Sequence, residues 1–519
     1  MSSRNLIIAL DAGTSLIKVV AFDERGRLIA TESRANVYSE GPGGLAEQDM
    51  AATWATAATT IAALVARCVG DAVIALAVTG QGDGTWLIDA AGEPVGPAML
   101  WLDGRAGGIV EAFRKTKPAS AHFDETNTGL AACHQSSQIL WMALHQPERL
   151  QGAVTALHCK DFLYFKLTGQ RVTDPSEGGF TYGSWRTRRY SERTIAALGF
   201  EPHRHLLPPI VDGSVTHHGL NKAAAQLLGL PAGLPVVLGY IDTVCSGLGA
   251  GLCGTDDECG VSIIGSTGIN MRLAADEFEL TPDAPMSGFR VATPVRGQTV
   301  LMQSSLAATL NIDWLVEIAE QAVGLAGFAA DRASLLERLD QSVMAAAPAQ
   351  AIYHPYIAAA GERGPFTDAT ARASLIGVNR SLDLPGMMRS VYEGLALAAC
   401  DCYDSIGGAP AVITLTGGAA RSPAMRKIFA AMLDRKVRIV QEHGSGALGA
   451  AMIAAVSLGI MPDIAQCATT WVTPLLGVAE RPDDALSTIY APLLPIYRQA
   501  RGAMSAFWHD FAAYQEIRL

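Results

Sequence analysis

Several patterns that define common classes of protein are missing from this sequence. It has no dense run of lysine and arginine and no Cys/His zinc pattern, and its formal net charge is −11, so we expect no nucleic-acid partner. The P-loop pattern G-x-x-x-x-G-K-S/T is absent, which excludes a P-loop kinase. Strings of the form G-x-G-x-x-G occur at residues 249–254 and 444–449, but neither has the full context of a dinucleotide site.

Disulfide and membrane signals are also scarce. The nine cysteines are scattered and odd in number, which is typical of reduced thiols rather than of a disulfide framework. The apolar run at residues 6–10 is too short for the core of a signal peptide. The longest run of small apolar residues, 446–461, is shorter than the roughly 20 residues that span a bilayer. We therefore expect a cytoplasmic protein with no membrane partner.

The length and the strand pattern predict two related domains. The chain has 519 residues, 49% of them hydrophobic, and a single core stops growing at roughly 250–300 residues. Apolar stretches at 6–10 and 16–22 flank a Gly/Thr turn, and a similar strand–turn–strand pattern recurs at 258–273. This internal echo predicts an α/β chain with an N-terminal domain at 1–247 and a C-terminal domain at 248–519.

The turn at residues 11–15 has the chemistry of a phosphate site. Gly13 allows a tight turn whose backbone N–H groups can cradle phosphate oxygens, and Thr14 and Ser15 add hydroxyl donors. Asp11, at the end of a buried strand, is placed to hold Mg²⁺ directly or through water, and Lys18 follows at a distance that could return its ammonium group to the phosphates. An ordinary hairpin turn with a capping aspartate is the alternative.

Two further glycine turns lie in the second half of the chain. The first repeats the glycine–hydroxyl pattern of residues 11–15 at Gly265, Ser266, Thr267 and Gly268. One such turn in each half fits a phosphate chain gripped between two domains. The segment 416–422 follows a strand and opens a helix, and its adjacent glycines let the backbone approach a nucleoside closely. A strand-to-helix turn that needs a positive φ is the alternative there.

Asp242 is the residue that we expect to act as the catalytic base. It comes directly after the apolar run 234–238, near the predicted domain junction. A carboxylate there could accept the proton of a substrate hydroxyl as it attacks a phosphoryl group, a reaction that otherwise needs mainly positioning and charge neutralisation. A helix N-cap aspartate would occupy the same sequence context, and the local sequence leaves both interpretations open.

Polar residues near two strand ends of the first half suit a polyhydroxylated ligand. Gln81, Asp83 and Asp103 offer amide and carboxylate groups to hydroxyls, and the ring of Trp101 can stack on a C–H face. The alternative is a network of structural salt bridges in these loops, for instance between Asp103 and Arg105.

An ordered set of motifs resembles the FGGY carbohydrate kinases from about residue 6 to about residue 460. The motifs are residues 11–15 (DAGTS), 81–84 (QGDG), 100–105 (LWLDGR), 239–242 (GYID), 265–268 (GSTG), 361–365 (GERGP) with Asp368 and Arg372, and 416–420 (TGGAA). The resemblance implies two actin-like, ribonuclease-H-type domains with a catalytic cleft between them. It also implies ATP and Mg²⁺.

The resemblance assigns roles to individual residues. Asp11 would lie near the metal, and Asp242 would be the base. The phosphates would be held by Gly13, Thr14, Ser15, Lys18, Gly265, Ser266, Thr267 and Gly268. The adenosine would be flanked by Gly417, Gly418, Ala419 and Ser422, and the substrate by Gln81, Gly82, Asp83, Trp101, Asp103 and Asp242.

Departures from the family pattern bear on the substrate. Gln138 precedes Trp141 where a lysine is usual, and Gly386 replaces a polar residue. Gly82 and Asp83 stand where xylulose-kinase-like members often have Met and His, which suggests a smaller and more polar substrate. We expect phosphorylation of a terminal hydroxyl of a small polyol, erythritol first, giving erythritol phosphate. A xylulose, ribulose or glycerol kinase, an actin-like ATPase and a silent sugar sensor are the alternatives. A homodimer is the assembly that we expect.

Overall fold

The computed structural model describes residues 4–254, 259–281, 284–329, 331–441 and 444–518. Among these residues, no helix combines the length and the apolar character needed to cross a membrane. The predicted strand at residues 258–264 begins at Cys259 in the structure, and its first residue lies outside the described ranges.

A six-stranded sheet is built from the first half of the chain. Its order is β12-β13-β6-β1-β2-β3, where β1, β2 and β3 form an antiparallel meander and β1, β6 and β13 are parallel. The strands are β1 (Asn5–Ala12), β2 (Leu16–Asp23), β3 (Leu28–Ala35), β6 (Ala72–Gly80), β12 (His218–Gly219) and β13 (Pro235–Leu238). Shorter strands beside it are β4 (Ser39–Gly41), β5 (Leu45–Gln48), β7 (Trp86–Ile88), β8 (Ala98–Met99), β9 (Thr155–Leu157), β10 (Gly183–Ser184) and β11 (Arg189–Tyr190).

A second six-stranded sheet repeats this plan. Its order is β16-β17-β15-β14-β20-β21, with β14, β15 and β17 antiparallel and β14, β20 and β21 parallel. The strands are β14 (Cys259–Ile264), β15 (Gly268–Ala275), β16 (Phe289–Ala292), β17 (Gln298–Ser305), β20 (Val412–Thr416) and β21 (Lys436–Ile439), and a separate pair is β18 (Ile352–His354) and β19 (Ser374–Ile376). The two sheets confirm the internal echo and the ribonuclease-H-type fold.

Helices cover the sheets on both faces. Those of the first half are α1 (Met50–Arg67), α2 (Gly107–Arg114), α3 (Lys117–Thr126), α4 (Gln135–His145), α5 (Pro147–Gly152), α6 (Cys159–Thr168), α7 (Pro175–Tyr182), α8 (Glu192–Leu198), α9 (Lys222–Leu228) and α10 (Asp242–Gly249). Those of the second half are α11 (Thr309–Leu325), α12 (Arg332–Val343), α13 (Leu384–Ser405), α14 (Pro423–Leu433), α15 (Ser445–Ser457), α16 (Ile464–Cys467), α17 (Asp484–Tyr490) and α18 (Leu493–Arg518).

The central strand β1 is buried on both faces, as its continuous apolar sequence predicts. Its alternate side chains enter two different cores, since Leu6 and Ile8 pack with α1, α6 and α9, whereas Ile7 and Ala9 pack with α10 and α15. The second of these cores also takes in Val261 from the other sheet. The helices α10 and α15 therefore lie in a layer that both sheets share.

Glycines allow α10 and α15 to cross closely. A Cβ atom on Gly249 would lie 2.1 Å from the Ser445 carbonyl oxygen, and one on Gly449 would lie 2.0 Å from that of Cys245. Such distances are far below van der Waals contact, so neither position admits a side chain. Gly249 ends α10 and Ser445 begins α15, so the two helices pack antiparallel, with the C-terminus of α10 against the N-terminus of α15.

Candidate active site

A cavity of about 180 Å³ opens between the two halves of the chain. Residues from both sheets line it: Thr14, Gly82, Asp83, Trp101, Phe180, Ile241, Asp242, Thr243, Thr267, Ile269, Phe289, Val291, Met302, Ser304 and Arg363. Its volume lies below the roughly 300–1,000 Å³ of pockets for drug-sized ligands. The cavity therefore suits a small molecule.

The β1–β2 turn faces this cavity through Thr14. The turn is closed by a hydrogen bond from Gly13 N to Leu16 O of 3.0 Å, and Ser15 is exposed beside it. The Thr14 hydroxyl donates to Gln81 Oε1 at 2.9 Å and accepts from Trp101 Nε1 at 2.8 Å. The predicted phosphate turn and two predicted substrate residues are thus joined by one hydroxyl.

The β14–β15 turn faces the same cavity from the other half. Gly265 N donates to Thr267 O at 3.1 Å, and Ala308 N, next to the start of α11, donates to Ser266 O at 2.7 Å. Gly268 begins β15, and Thr267 lines the cavity that Thr14 lines from the opposite half. The two glycine–hydroxyl turns therefore lie at one site.

Asp242 is the first residue of α10 and lines the cavity, where its side chain is half-buried. Ile241, not Asp242, occupies the N-cap position, so the capping interpretation left open by the sequence does not apply. Burial first, then the negative charges of Asp11 and Asp83, raise the pKa of Asp242 to about 7. A carboxyl group with this pKa can accept a proton near neutral pH.

Asp11 lies near the end of β1, opposite Lys18 on β2. Burial raises its pKa to about 6, and the Lys18 ammonium opposes that rise. A Cβ atom on Gly446, in the first turn of α15, would lie 2.6 Å from Asp11 Oδ2. The carboxylate thus faces the N-terminus of a helix, which favours negative charge.

A second cleft of about 310 Å³ lies beside Lys18. It is lined by Lys18, Leu415, Thr416, Gly417, Ala420, Arg421, Ile439, Val440, Gly444 and Ser445. Gly417 has a φ of +92°, and a Cβ atom there would lie 2.4 Å from Ile264 O. The third glycine turn therefore packs directly on the backbone of the second. Gly417 also has the positive φ that the alternative interpretation of this turn requires.

The other residues predicted beside the adenosine lie in the turn that follows. Gly418 and Ala419 belong to a 3₁₀ turn over Gly418–Arg421. Ser422 is the N-cap of α14: its hydroxyl oxygen accepts from Met425 N at 2.9 Å and also bonds to the Asp340 carboxylate. These hydrogen bonds give Ser422 a structural role, and Ser422 is not among the residues that line the cleft.

Asp103 is held by structural bonds rather than aimed at the cavity. Its side chain is buried and bonds Arg105 Nη2 at 2.7 Å and Ala46 N at 2.9 Å, and Arg105 also pairs with Glu47 at 2.7 Å. The structure favours the salt-bridge alternative for this residue over the predicted substrate contact. Gln81 is likewise buried, and its amide donates to Gln48 Oε1 at 2.8 Å.

Four cavity-lining side chains carry a buried polar atom without a hydrogen-bond partner among the described residues. They are Asp83 Oδ1, Thr243 Oγ1, Ser304 Oγ and Arg363 Nε. Leaving such an atom unpaired costs about 1–3 kcal/mol, a penalty that a ligand with several hydroxyls can relieve. The set contains both acceptors and donors, as recognition of a polyol requires.

Arg363, Thr243 and Ser304 were missed as site residues from the sequence. Arg363 reaches the site from the second half, and its guanidinium lies 5.7 Å from the centre of the Trp101 ring. Burial raises the pKa of Asp83, and the Arg363 charge opposes that rise. The motif at residues 361–365 was a signal for Arg363, whereas Thr243 and Ser304 carry no local sequence signal.

Residues 6–249 match the N-terminal domain of the FGGY family of carbohydrate kinases, and residues 261–458 match its C-terminal domain. The chain belongs to this FGGY family. The resemblance in the ordered motifs is thereby confirmed, and with it the assignment as a carbohydrate kinase.

Curated FGGY relatives cover nearly the whole chain. An erythritol kinase from Brucella abortus (strain 2308) is 44% identical over 511 residues, 98% of each chain. A xylulose kinase from Escherichia coli (strain K12) is 27% identical, covering 87% of this chain and 90% of its own.

Solved structures share the FGGY fold. A gluconate kinase from Lactobacillus acidophilus superposes with a TM-score of 0.88 at 22% identity, covering 98% of this chain and all of its own. A xylulose kinase from Rhodospirillum rubrum has a TM-score of 0.84 at 25% identity, covering 97% of this chain and all of its own. The two-domain, actin-like architecture predicted from the sequence is therefore confirmed.

Proposed function

We propose that this FGGY kinase transfers the γ-phosphoryl group of ATP to a terminal hydroxyl of a small polyol, with erythritol as the preferred substrate. The observation that carries the proposal is the small cavity in which Asp242 meets several unpaired hydrogen-bonding atoms between Thr14 and Thr267. The 44% identity to a Brucella abortus protein named erythritol kinase supports the choice of polyol.

In this proposal Asp242 is the general base. Its carboxylate accepts the proton of the terminal hydroxyl as that oxygen attacks the terminal phosphorus, and ADP leaves with the electrons of the broken P–O bond. The position of Asp242 at the N-terminus of α10 fixes its backbone. Asp242 gains the proton that the attacking hydroxyl loses, and the new O–P bond forms as the bond between phosphorus and the ADP oxygen breaks.

The residues around Asp11 fit a nucleotide with its metal. A carboxylate oxygen is the ligand type that Mg²⁺ prefers, and Asp11 would hold the ion directly or through water. Mg²⁺, when bound, neutralises charge on the phosphate chain. The turns at Gly13–Ser15 and Gly265–Gly268 would donate N–H and hydroxyl groups to the phosphates. Lys18 would add a positive charge, and the turn at Gly417 would approach the nucleoside.

The size of the cavity supports a short substrate. A Cβ atom on Gly82 would lie 1.9 Å from Ile241 Cδ1, so the Ile241 side chain occupies the space that a residue at position 82 would otherwise fill. The next residue, Asp83, has a carboxylate oxygen, Oδ1, without a hydrogen-bond partner among the described residues. A small cavity with a few unpaired hydrogen-bonding atoms suits a four-carbon polyol better than a longer ketose.

Several expectations stay proposals. A ketose or glycerol kinase is the alternative within the family, and an actin-like ATPase without a small acceptor is the alternative from another class. The division of the chain near residue 247 and the homodimer also remain predictions.

Product identification tests the proposal. The purified protein is incubated with Mg-ATP and erythritol, glycerol, xylulose, ribulose or xylitol, and products are identified by mass spectrometry while ADP release is followed. We expect erythritol phosphate and a sharp rise in ADP release with erythritol. ADP release that no polyol or sugar stimulates would favour the ATPase, and a preference for another acceptor would replace erythritol.

A further inference from the structure

An arginine-rich cleft lies outside the proposed active site. It has a volume of about 770 Å³, and it shares no lining residue with the cavity that contains Asp242 or with the cleft beside Lys18. Its charged lining residues are Arg188, Arg189, Arg204, Arg296, Asp212 and Asp276. Four arginines against two aspartates give the cleft a net positive charge, although the chain as a whole has a formal net charge of −11. A positive concave surface on an acidic protein attracts small anions.

The two aspartates of this cleft already have partners within the protein. The Asp212 carboxylate accepts hydrogen bonds from Ser214 N at 2.9 Å, from the Ser214 hydroxyl at 2.7 Å and from the Tyr240 hydroxyl at 3.2 Å. Asp276 forms an ion pair of 3.7 Å with Arg188. The Arg188 guanidinium also donates to the carbonyl oxygens of Thr293, Val295 and Gln298. These three charged groups are therefore committed to contacts within the protein.

The other three arginines are available to a ligand. Arg189 and Arg296 are exposed, and neither has an ion pair or a side-chain hydrogen bond within the part of the chain that the structure describes. Arg204 pairs with Glu192 at 2.9 Å, and both of these side chains are exposed. Since such a surface ion pair is worth only about 0–1 kcal/mol, a phosphate group can replace it. The guanidinium fork of arginine matches the oxygens of a phosphate group.

The three available arginines come from both halves of the chain. Arg189 begins β11 and Arg204 also belongs to the first half, whereas Arg296 lies in the turn between β16 and β17 of the second. The same two strands extend to the proposed active site, where Val291 of β16 and Ser304 of β17 line the cavity. The strand pair that carries Arg296 therefore connects the cleft to the wall of the active site.

Two further contacts link the cleft to the backbone that carries the proposed base. Pro175 lines the cleft, and the hydroxyl of the next residue, Ser176, accepts from Ile241 N at 2.9 Å. Asp212 lines the cleft as well and accepts from the Tyr240 hydroxyl. The two residues that directly precede the proposed base are thus both held by this region.

We propose that this cleft is a regulatory site for a small phosphate monoester. Its phosphate group lies between Arg296 of the second half and Arg189 and Arg204 of the first, and the hydroxyls of Thr187 and Thr216, which also line the cleft, bind the rest of the ligand. The bound anion fixes the two halves relative to one another. Because an enzyme with an interdomain cleft opens to release its products, occupation of the site lowers kcat.

The product of the proposed reaction belongs to this class of ligand. Erythritol phosphate is a small phosphate monoester, so the cleft would sense the accumulation of product and slow its formation. This choice of ligand rests on the proposed function, whereas the binding of a phosphate monoester does not require turnover and can be measured separately.

Calorimetry tests the binding while the active site is filled. The protein is saturated with erythritol and a non-hydrolysable ATP analogue, and erythritol phosphate is titrated in. We expect saturable binding to one site that weakens as salt is added, because exposed charges are screened. Arg189→Gln and Arg296→Gln should each weaken this binding roughly 10-fold. Inorganic phosphate, titrated in the same way, should bind less tightly, and equal affinity for it would overturn the ester as the ligand.

Steady-state kinetics test the regulation. At saturating erythritol and Mg-ATP, added erythritol phosphate should lower kcat of the unmodified enzyme. A variant that combines Arg189→Gln with Arg296→Gln should have an unchanged kcat without the ester and should lose most of the inhibition. The matched controls are Arg25→Gln and Arg380→Gln, which remove exposed arginines that line neither the cleft nor the active site. Both should bind the ester and respond to it as the unmodified enzyme does.

The possible outcomes are distinct. The inference is overturned if no ester binds while the active site is filled, if the control variants weaken binding as much as the cleft variants, or if the bound ester leaves kcat unchanged. Failure of the unmodified enzyme to phosphorylate any polyol would instead defeat the proposed function, and the calorimetry would still decide whether the cleft binds a phosphate monoester.

Discussion

The backbone N–H of Ile241 donates to the Ser176 hydroxyl oxygen at 2.9 Å. Ser176 in turn donates to the Asp174 carboxylate, which pairs with Lys160 Nζ at 2.9 Å. The side chains of Lys160 and Asp174 are fully buried. Since Ile241 directly precedes Asp242, a buried ion pair fixes the backbone that carries the proposed base.

Ser176→Ala should therefore lower turnover without weakening nucleotide binding. Removal of the hydroxyl leaves the Ile241 N–H unpaired and frees the turn before Asp242, and one such hydrogen bond is worth about 1–1.5 kcal/mol, or roughly tenfold in kcat. KM for ATP should stay unchanged, as steady-state kinetics will show. The matched control is Ser191→Ala, which removes the cap of α8 and should leave kcat unaltered; an equal loss in both variants would contradict the positioning role.

Asp242→Asn tests the base directly. The amide is nearly isosteric but accepts no proton, so we expect kcat to fall roughly 10²- to 10⁴-fold, the usual scale for a positioned base. Binding of ATP, measured by calorimetry, should persist because the nucleotide contacts lie on other residues. Near-normal turnover with erythritol would remove Asp242 from the mechanism.

The pH dependence follows from the same carboxyl group. The raised pKa of Asp242, about 7, means that the free enzyme loses its base as pH falls through 7, so kcat/KM for the polyol should decline on that acidic side. Asp83 is one of the charges that raise this pKa. Asp83→Asn should therefore move the midpoint to lower pH, whatever its effect on kcat/KM at the plateau, and a midpoint that rises would contradict the electrostatic origin.

Much of the fold was predictable because its signals are local. The apolar run in β1 predicts a strand buried on both faces, and Ile7 and Ile8 do pack in two different cores. The turns containing Thr14 and Thr267 were predicted because glycine and hydroxyl residues between strands are visible in the sequence. Their meeting at one cavity depends on the crossing of α10 and α15, which no local pattern specifies.

The candidate site was less completely predictable. Ser304 lies at the end of β17 and Thr243 in the first turn of α10, and only the packing of two distant segments makes either one line the cavity. Asp103 was predicted to touch the substrate, but its carboxylate forms an ion pair with Arg105 instead. Short-range ion pairs and cavity contacts look alike in sequence, because both need polar residues near strand ends.

Gly446→Ala should impair activity by displacing the Asp11 carboxylate rather than by destabilising α15. The new Cβ atom would lie 2.6 Å from Asp11 Oδ2, below the closest contact that such atoms make, so the carboxylate must move away from the proposed metal position. We expect KM for Mg-ATP to rise roughly tenfold or more and kcat to fall, because a displacement of about 1 Å at a reacting centre can cost 10²-fold in rate.

The matched control is Gly502→Ala in α18, where a Cβ atom would meet nothing within 4 Å. Replacing an exposed helical glycine by alanine stabilises the folded state by about 0.5–1 kcal/mol. This variant should therefore have a slightly higher melting temperature and retain full activity. Gly446→Ala should lose activity even if its melting temperature stays unchanged, and addition of Mg²⁺ in excess should restore part of it. Full activity at ordinary Mg²⁺ in Gly446→Ala would show that the position of Asp11 does not govern nucleotide binding.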